Sequence, residues 1–328
     1  MRTQIAVGVI YNDTGDKVLL ALRPDNVPQG GLWEFPGGKI MPGEDINQAL
    51  ERELYEELGL RVISSSPLIT VNHDYPDSSV TLNVRSVTGW NGEIFGREGQ
   101  RIEWVSVGDL ARRKFPEANR AVVTAVRLPS LYLITPNQEV YNEGFMQDLD
   151  EILSAGVKML QFRSKYSGTP HRANTIRRIL EICDKNTCKL IVNGDPWEAV
   201  DFLCHGVHLS SKHLLQINTR PLPYDKWVGV SCHNQAELDH ACRIGADFAV
   251  LGPVKKTSSH SGTGSMGWDN FASLVHLAEI PVYALGGMVG TDMGTAQEYG
   301  GQGLAVISAV WGAADKAEAA RRILEKKV

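Results

Sequence analysis

The chain has 328 residues, 43% of them hydrophobic and 22% charged, with a formal net charge of -5. That length exceeds one ordinary core and implies two domains, and the composition excludes a disordered chain. Basic and acidic residues number 14 and 17 in residues 1–130 and 19 and 21 in the remainder, so neither half is a basic arm and a nucleic-acid polymer is not an expected partner.

In chain order, an apolar run at residues 5–11 ends at Asn12 and Asp13. It is too short for a signal segment or a membrane span, so no membrane partner and a cytoplasmic location are expected. This run reads as a strand, followed by a second at 17–22, a Gly/Pro-rich loop, and a strong helix over about 45–58. Alternating strands up to 104–107 and a helix near 118–126 complete the first half. From residue 131 the texture changes. Short apolar runs at 131–135, 159–163, 190–193, 206–209, 227–231, 248–252, 281–285 and 303–308 alternate with helical segments. Eight buried-type strands separated by helices predict a (β/α)8 barrel. The boundary falls at residues 128–130, giving domains 1–128 and 131–328 in an α/β protein. Cys183, Cys188, Cys204, Cys232 and Cys242 lack any ligand spacing and read as free thiols.

The most informative stretch contains Gly38, Glu44 and the run Arg52-Glu53-Leu54-Tyr55-Glu56-Glu57-Leu58-Gly59-Leu60. At about 100° per residue on a helix, Glu53, Glu56 and Glu57 share one face. Like charges so placed weaken a helix by a few tenths of a kcal/mol per pair, so the cluster makes sense with divalent cations among them. Oxygen donors suit Mg2+ or Mn2+. The bland alternative is a solvated acidic face. Leu50, Leu54 and Leu58 give the same helix an apolar stripe, and Gly59 suits a left-handed cap.

Position for position, this array matches G-x5-E-x7-R-E-U-x-E-E-x-G-U, where U is a bulky aliphatic residue, and on it the first half resembles the Nudix hydrolases. The resemblance implies an α/β/α sandwich whose loop–helix–loop presents metal ions to a diphosphate. It implies Glu53, Glu56, Glu57, Glu98 and Gly37 at the metal, with Glu53 and Glu98 catalytic and Glu44 and Arg52 bracing the loop. Further stretches, among them Trp33-Glu34-Phe35-Pro36-Gly37-Gly38, Tyr75-Pro76-Asp77, Arg97-Glu98-Gly99-Gln100 and Phe115-Pro116-Glu117-Ala118-Asn119, are similar to the 8-oxo-dGTP diphosphatases of MutT type. By that resemblance Arg23, Phe35, Gly38, Asp77 and Asn119 bind the nucleotide, and the products are 8-oxo-dGMP and pyrophosphate, a step that cleans the DNA precursor pool. Taken singly, Phe35 could be core, Arg23 a surface cation, Asp77 a turn residue and Asn119 a helix N-cap.

In the second half Gln161, Arg163 and Lys165 alternate at a strand end, which in such barrels is the active-site end. Gly286-Gly287 follow the seventh strand and Ile307-Ser308 end the eighth, where barrels often hold phosphate. This half resembles thiamine phosphate synthase and the related TenI thiazole tautomerases, with Gln161, Arg163, Lys165, Asn193, Ser231, His233, Thr257, Gly286, Gly287 and Ser308 among the matching positions. Two departures stand out. Asn193-Gly194 stands where the synthases carry an Asn-Asp metal motif, and Lys212-His213 where they carry an acidic pair. The resemblance therefore implies a barrel that has lost Mg2+-binding carboxylates and binds a thiazole or thiamin phosphate, with His233 as a proton shuttle. Alternatives remain a barrel that merely supports the hydrolase, a retained synthase, a thiamin diphosphate-hydrolysing Nudix domain fed by the barrel, and a ligand sensor that controls the hydrolase. Lys255, Lys256 and His260 could form a basic lid or be solvated loop.

Overall fold

The computed structural model describes residues 2–138, 140–164, 170–256 and 264–325. They form two compact units, Met1–Leu128 and Pro129–Val328.

In the first unit β1 (Thr3–Ile10) and β2 (Lys17–Leu22) lead to the short strands β3 (Trp33–Glu34) and β4 (Gly37–Lys39) and to helix α1 (Ile46–Leu58). A long hairpin of β5 (Arg61–Tyr75) and β6 (Ser78–Asn91) follows, then β7 (Ile102–Ser106) and helix α2 (Asn119–Arg127). Two sheets result, ordered β4-β1-β6-β5 and β3-β2-β7, with β1 and β6 parallel and the other pairs antiparallel. Pro76 and Asp77 alone separate the hairpin strands, so Asp77 lies exposed at the tip.

Helix α1 forms where its sequence can close both ends. Asp45 is its N-cap rather than its first residue: Oδ1 accepts from the amides of Asn47 and Gln48, and Gln48 Oε1 accepts from Asp45 N–H. Such a capping box is worth roughly 1 kcal/mol. Gly59, at φ 72°, ends the helix in the left-handed conformation that costs other residues energy. Between the caps Leu50, Leu54 and Leu58 are buried with Ile10, Leu19 and Leu60, each side chain contributing about 1.5–3 kcal/mol. Gly8 lets the helix lie close on β1, since a methyl there would stand 3.0 Å from Leu54 Cδ1.

The second unit is a closed barrel of eight parallel strands, ordered β10-β11-β12-β13-β14-β15-β8-β9. In chain order it runs β8 (Leu131–Ile134), α3 (Glu143–Ser154), β9 (Met159–Phe162), α4 (Pro170–Lys185), β10 (Lys189–Asn193), α5 (Pro196–Asp201), β11 (Gly206–Leu209) and α6 (Ser211–Leu214). It continues with β12 (Trp227–Cys232), α7 (Gln235–Arg243), β13 (Phe248–Leu251), α8 (Gly267–Leu277), β14 (Val282–Leu285), α9 (Asp292–Glu298), β15 (Gly303–Val306), α10 (Ser308–Trp311) and α11 (Lys316–Glu325). The expected eighth strand, 303–308, is two residues too long. Ile307, at φ -121° and ψ -80°, leaves the extended region and Ser308 begins α10.

Aromatic rings fill the lumen. Tyr132, Phe248 and Tyr283 are fully buried, with centroids 5.3–5.6 Å apart and Phe248 edge-on to both tyrosines. Gly229 has to lack a side chain there, because a Cβ would fall 2.4 Å from Phe248 Cζ. All five cysteines are free thiols. Among the described residues no helix is long and apolar enough to cross a membrane.

Candidate active site on the carboxylate helix and the mouth of the barrel

Arg52 organises the acidic end of the first unit. Its Nε and Nη2 bond both oxygens of Glu44, Nη2 also reaches Lys39 O at 2.9 Å, and Nη1 bonds Glu53 Oε1 at 2.7 Å and Glu56 Oε2 at 3.3 Å. These bonds hold the Glu44 carboxyl down at about 2. Glu53 lies directly on the loop backbone, since a Cβ on Gly38 would meet its Cδ at 2.2 Å. Gly37 is equally constrained: at φ 148° a side chain would strike Ala6 O at 2.1 Å. Its N–H donates to Glu57 Oε2 at 3.2 Å.

Glu57 is the most perturbed acid of the group. Burial, then the charge of Glu34, push its carboxyl up to about 8; the Gly37 amide opposes this, and Glu98 and Glu53 add to it. Glu34 too is raised by burial, although Arg23 is its ion-pair partner. Glu98 is exposed on a loop tied to the end of α1, where Arg97 N–H and Gln100 Nε2 donate to Glu57 O and Arg97 Nη1 to Tyr55 O. Among the described residues no three His, Cys, Asp or Glu side chains already form a closed metal cage. The donor chemistry nevertheless fits a divalent cation: Glu57 lies within the fields of Glu34, Glu53 and Glu98, and Glu53 keeps Oε2 clear of Arg52.

The expected nucleotide residues do not all stand free. Arg23 is no solvated cation, because Nη1 pairs with Glu34 while Nε and Nη2 donate to Pro28 O. Phe35 is buried and stacked on Phe115 at 5.7 Å and 14°. Asn119 is not the helix N-cap; Ala118 is, and Asn119 is the first residue of α2 and 9% exposed. Tyr75 of the hairpin accepts from Ala118 N–H at 3.4 Å, bringing the Asp77 turn to the start of this helix.

In the barrel, Gln161, Asn193, Ser231 and His208 join one chain of hydrogen bonds, buried at its centre and half-buried at Asn193 and Ser231. Asn193 Nδ2 donates to Gln161 Oε1 at 3.4 Å, Gln161 Nε2 to Tyr132 OH at 3.1 Å, and Tyr132 OH meets His208 Nδ1 at 3.3 Å. His208 Nε2 lies 2.9 Å from Ser231 Oγ. Tyr132 accepts from Gln161, and the tautomer of neutral His208 that takes the Tyr132 proton at Nδ1 carries hydrogen on Nε2 and donates to Ser231. Burial, reinforced by the Arg163 charge, pushes His208 down to about 3 and keeps it neutral.

His233 is exposed, and its Nδ1 and backbone N–H both meet Glu237 Oε2, at 3.0 and 2.8 Å, so these bonds do not use Nε2. Burial alone would raise Glu237, but bonds from Ser211 and His233 hold it below the usual range. Arg163 presents its backbone to Thr135 and Tyr141. Gly286 and Gly287, at φ 102° and 64°, press against Pro253 and Lys256 O, and Ile307 and Ser308 follow β15. Lys165, Thr257 and His260 lie outside the described residues.

Sequence reasoning missed Glu34, Tyr75, Arg172, Glu198 and His208. Arg172 is almost wholly buried, donates to both oxygens of Glu198 and to Asn193 O, and covers the Phe162 ring at 5.2 Å.

Comparison with known proteins divides the chain as its geometry does. A NUDIX domain family model matches residues 6–125, and a thiamine monophosphate synthase model matches residues 131–310. The 8-oxo-dGTP diphosphatase of Escherichia coli is 37% identical over 126 residues, which are 38% of this chain and 97% of that protein. A thiamine-phosphate synthase of Synechococcus is 30% identical over 197 residues, 60% of this chain, but the chain spans only 56% of that relative's length. The solved thiamine phosphate pyrophosphorylase of Pyrococcus furiosus shares the barrel fold, at a TM-score of 0.50 and 23% identity, over 64% of this chain and 98% of that one. The chain therefore belongs to the Nudix hydrolases through its first unit and to the thiamine monophosphate synthase family through its barrel.

Proposed function

We propose that the first unit hydrolyses 8-oxo-dGTP to 8-oxo-dGMP and pyrophosphate with Mg2+ or Mn2+, removing oxidised guanine from the DNA precursor pool. The observation that carries this reading is the buried carboxyl of Glu57, pushed up to about 8 first by burial and then by the charge of Glu34, with Glu98 and Glu53 adding to it. Glu53, Glu56, Glu57 and Glu98 would hold the cation, with Gly37 beside them. Once bound, it neutralises phosphate oxygens and eases deprotonation of water.

The protein's own groups do the rest. Arg52 and Glu44 keep the loop against the helix. Glu98 takes the proton of the attacking water, and its exposure leaves it within reach of solvent. The buried carboxamide of Asn119 offers a donor and an acceptor to a purine edge beside Phe35, and the Asp77 turn closes over it. A site built to pair with the oxidised edge rejects the base that lacks it. The 37% identity to the Escherichia coli 8-oxo-dGTP diphosphatase, across 97% of that protein, supports this substrate. Steady-state hydrolysis of 8-oxo-dGTP, dGTP and thiamin diphosphate by the full chain is the test. A kcat/KM for 8-oxo-dGTP no higher than for dGTP removes the specificity, and preference for thiamin diphosphate replaces the substrate.

The barrel, in the same reading, binds a thiazole or thiamin phosphate at the C-terminal ends of its strands. Ser231, which already accepts from His208, has its own hydroxyl proton left to give to such a ligand.

A further inference from the structure

We propose that the mouth of the barrel takes its anionic ligand without a divalent cation, because the carboxylates that follow β10, β12 and β14 are already engaged by groups of the protein itself. This rests on reading the mouth as an anion site. After β10, Glu198 has both oxygens on Arg172, at 2.7 and 2.8 Å, and Asp195 Oδ1 accepts from Trp197 N–H as the N-cap of α5. After β12, Glu237 accepts from Ser211 Oγ on one oxygen and from His233 on the other. After β14, Asp292 binds Lys255 Nζ at 2.5 Å and the Val289 amide at 2.9 Å.

Position 194 shows how the place of a metal-binding acid has been taken. Gly194 adopts φ 145°, which disfavours any L side chain. A Cβ built there would stand 3.2 Å from Glu198 Oε2 and 3.4 Å from Arg172 Nη2. A cation beside Asn193 would thus face a guanidinium held in place by Glu198, by Asn193 O and by the Phe162 ring. After β11 the first turn of α6 is Ser211-Lys212-His213, with no acid. Charge on the ligand must then be met by protein cations and backbone amides, which suits a phosphate monoester. A pyrophosphate leaving group, which needs a metal to neutralise it, is poorly served.

The test uses the full chain with Glu53→Gln and Glu57→Gln, which take away two of the four carboxylates proposed to hold a cation in the first unit. Inorganic phosphate and pyrophosphate are titrated calorimetrically in Mg2+ and in EDTA. The expected result is phosphate binding whose Kd agrees within about threefold between the two buffers. Mg2+ tightening of either anion by about tenfold or more overturns the proposal. Absence of heat with both anions in both buffers overturns the anion-site reading on which it rests, a distinguishable failure. Should the double variant unfold, Mn2+ broadening of the His233 ring protons in the wild-type chain decides: sharp lines are expected, and broadened ones place metal in the mouth.

Discussion

Arg52 clasps Glu44 with two parallel hydrogen bonds, Nε to Oε1 at 2.7 Å and Nη2 to Oε2 at 2.9 Å, eight residues apart in sequence. The clasp joins the loop before α1 to the face that carries Glu53. A lysine has the charge but not the planar fork. Arg52→Lys is therefore expected to lower kcat/KM by about 10–100-fold and to raise the Mg2+ concentration for half-maximal rate. Mg2+ titration of nucleotide hydrolysis measures both, and an unchanged half-point would show that the brace does not position the acids.

Glu57 predicts an unusual pH dependence. Its folded value of about 8 stands above the ordinary 4.5, so between those limits the metal-free folded state holds a proton that the unfolded chain has released. Stability of the first unit should accordingly fall as pH rises through this window, by at most about 1.4 kcal/mol per pH unit. Glu57→Gln should abolish the slope, and Mn2+ should reverse it by stabilising the ionised form. Urea unfolding at several pH values reads this out; an unchanged slope in the variant would assign the effect to another group.

Asn119→Ala should leave kcat for dGTP nearly unchanged while removing preference for 8-oxo-dGTP. Loss of a buried pairing group costs about 1–3 kcal/mol, or roughly 5–150-fold in relative kcat/KM. Competition between the two nucleotides is the measurement, and retained preference would move base recognition elsewhere.

For the barrel the sign is opposite to that of Glu57. His208 is depressed from 6.5 to about 3, so below 6.5 the unfolded chain takes up a proton that the folded one refuses. Barrel stability should decline as pH falls from about 6.5 toward 3, and His208→Asn should flatten that decline. Chemical unfolding followed by barrel tryptophans such as Trp227 checks it.

The carboxylate helix was legible because its information is local: a cap, an i, i+4 leucine stripe, three acids on one face and a terminal glycine within fifteen or so residues. The barrel was legible through the recurrence of short apolar runs between helical segments. What escaped lies far apart in sequence. Arg172 and Glu198 are separated by 26 residues, and Tyr132 and His208 by 76, so no periodicity announces them. Glu34 escaped differently: a lone acid between Trp33 and Phe35 gives no hint that its charge acts on Glu57. Asn119 could be read equally as a cap until the backbone gave that place to Ala118.

Phe248, wedged over Gly229 between two tyrosines, stoppers the barrel from within. The ligand proposed for the strand ends would therefore have no passage through the packed lumen and would exchange with solvent on the side where it binds.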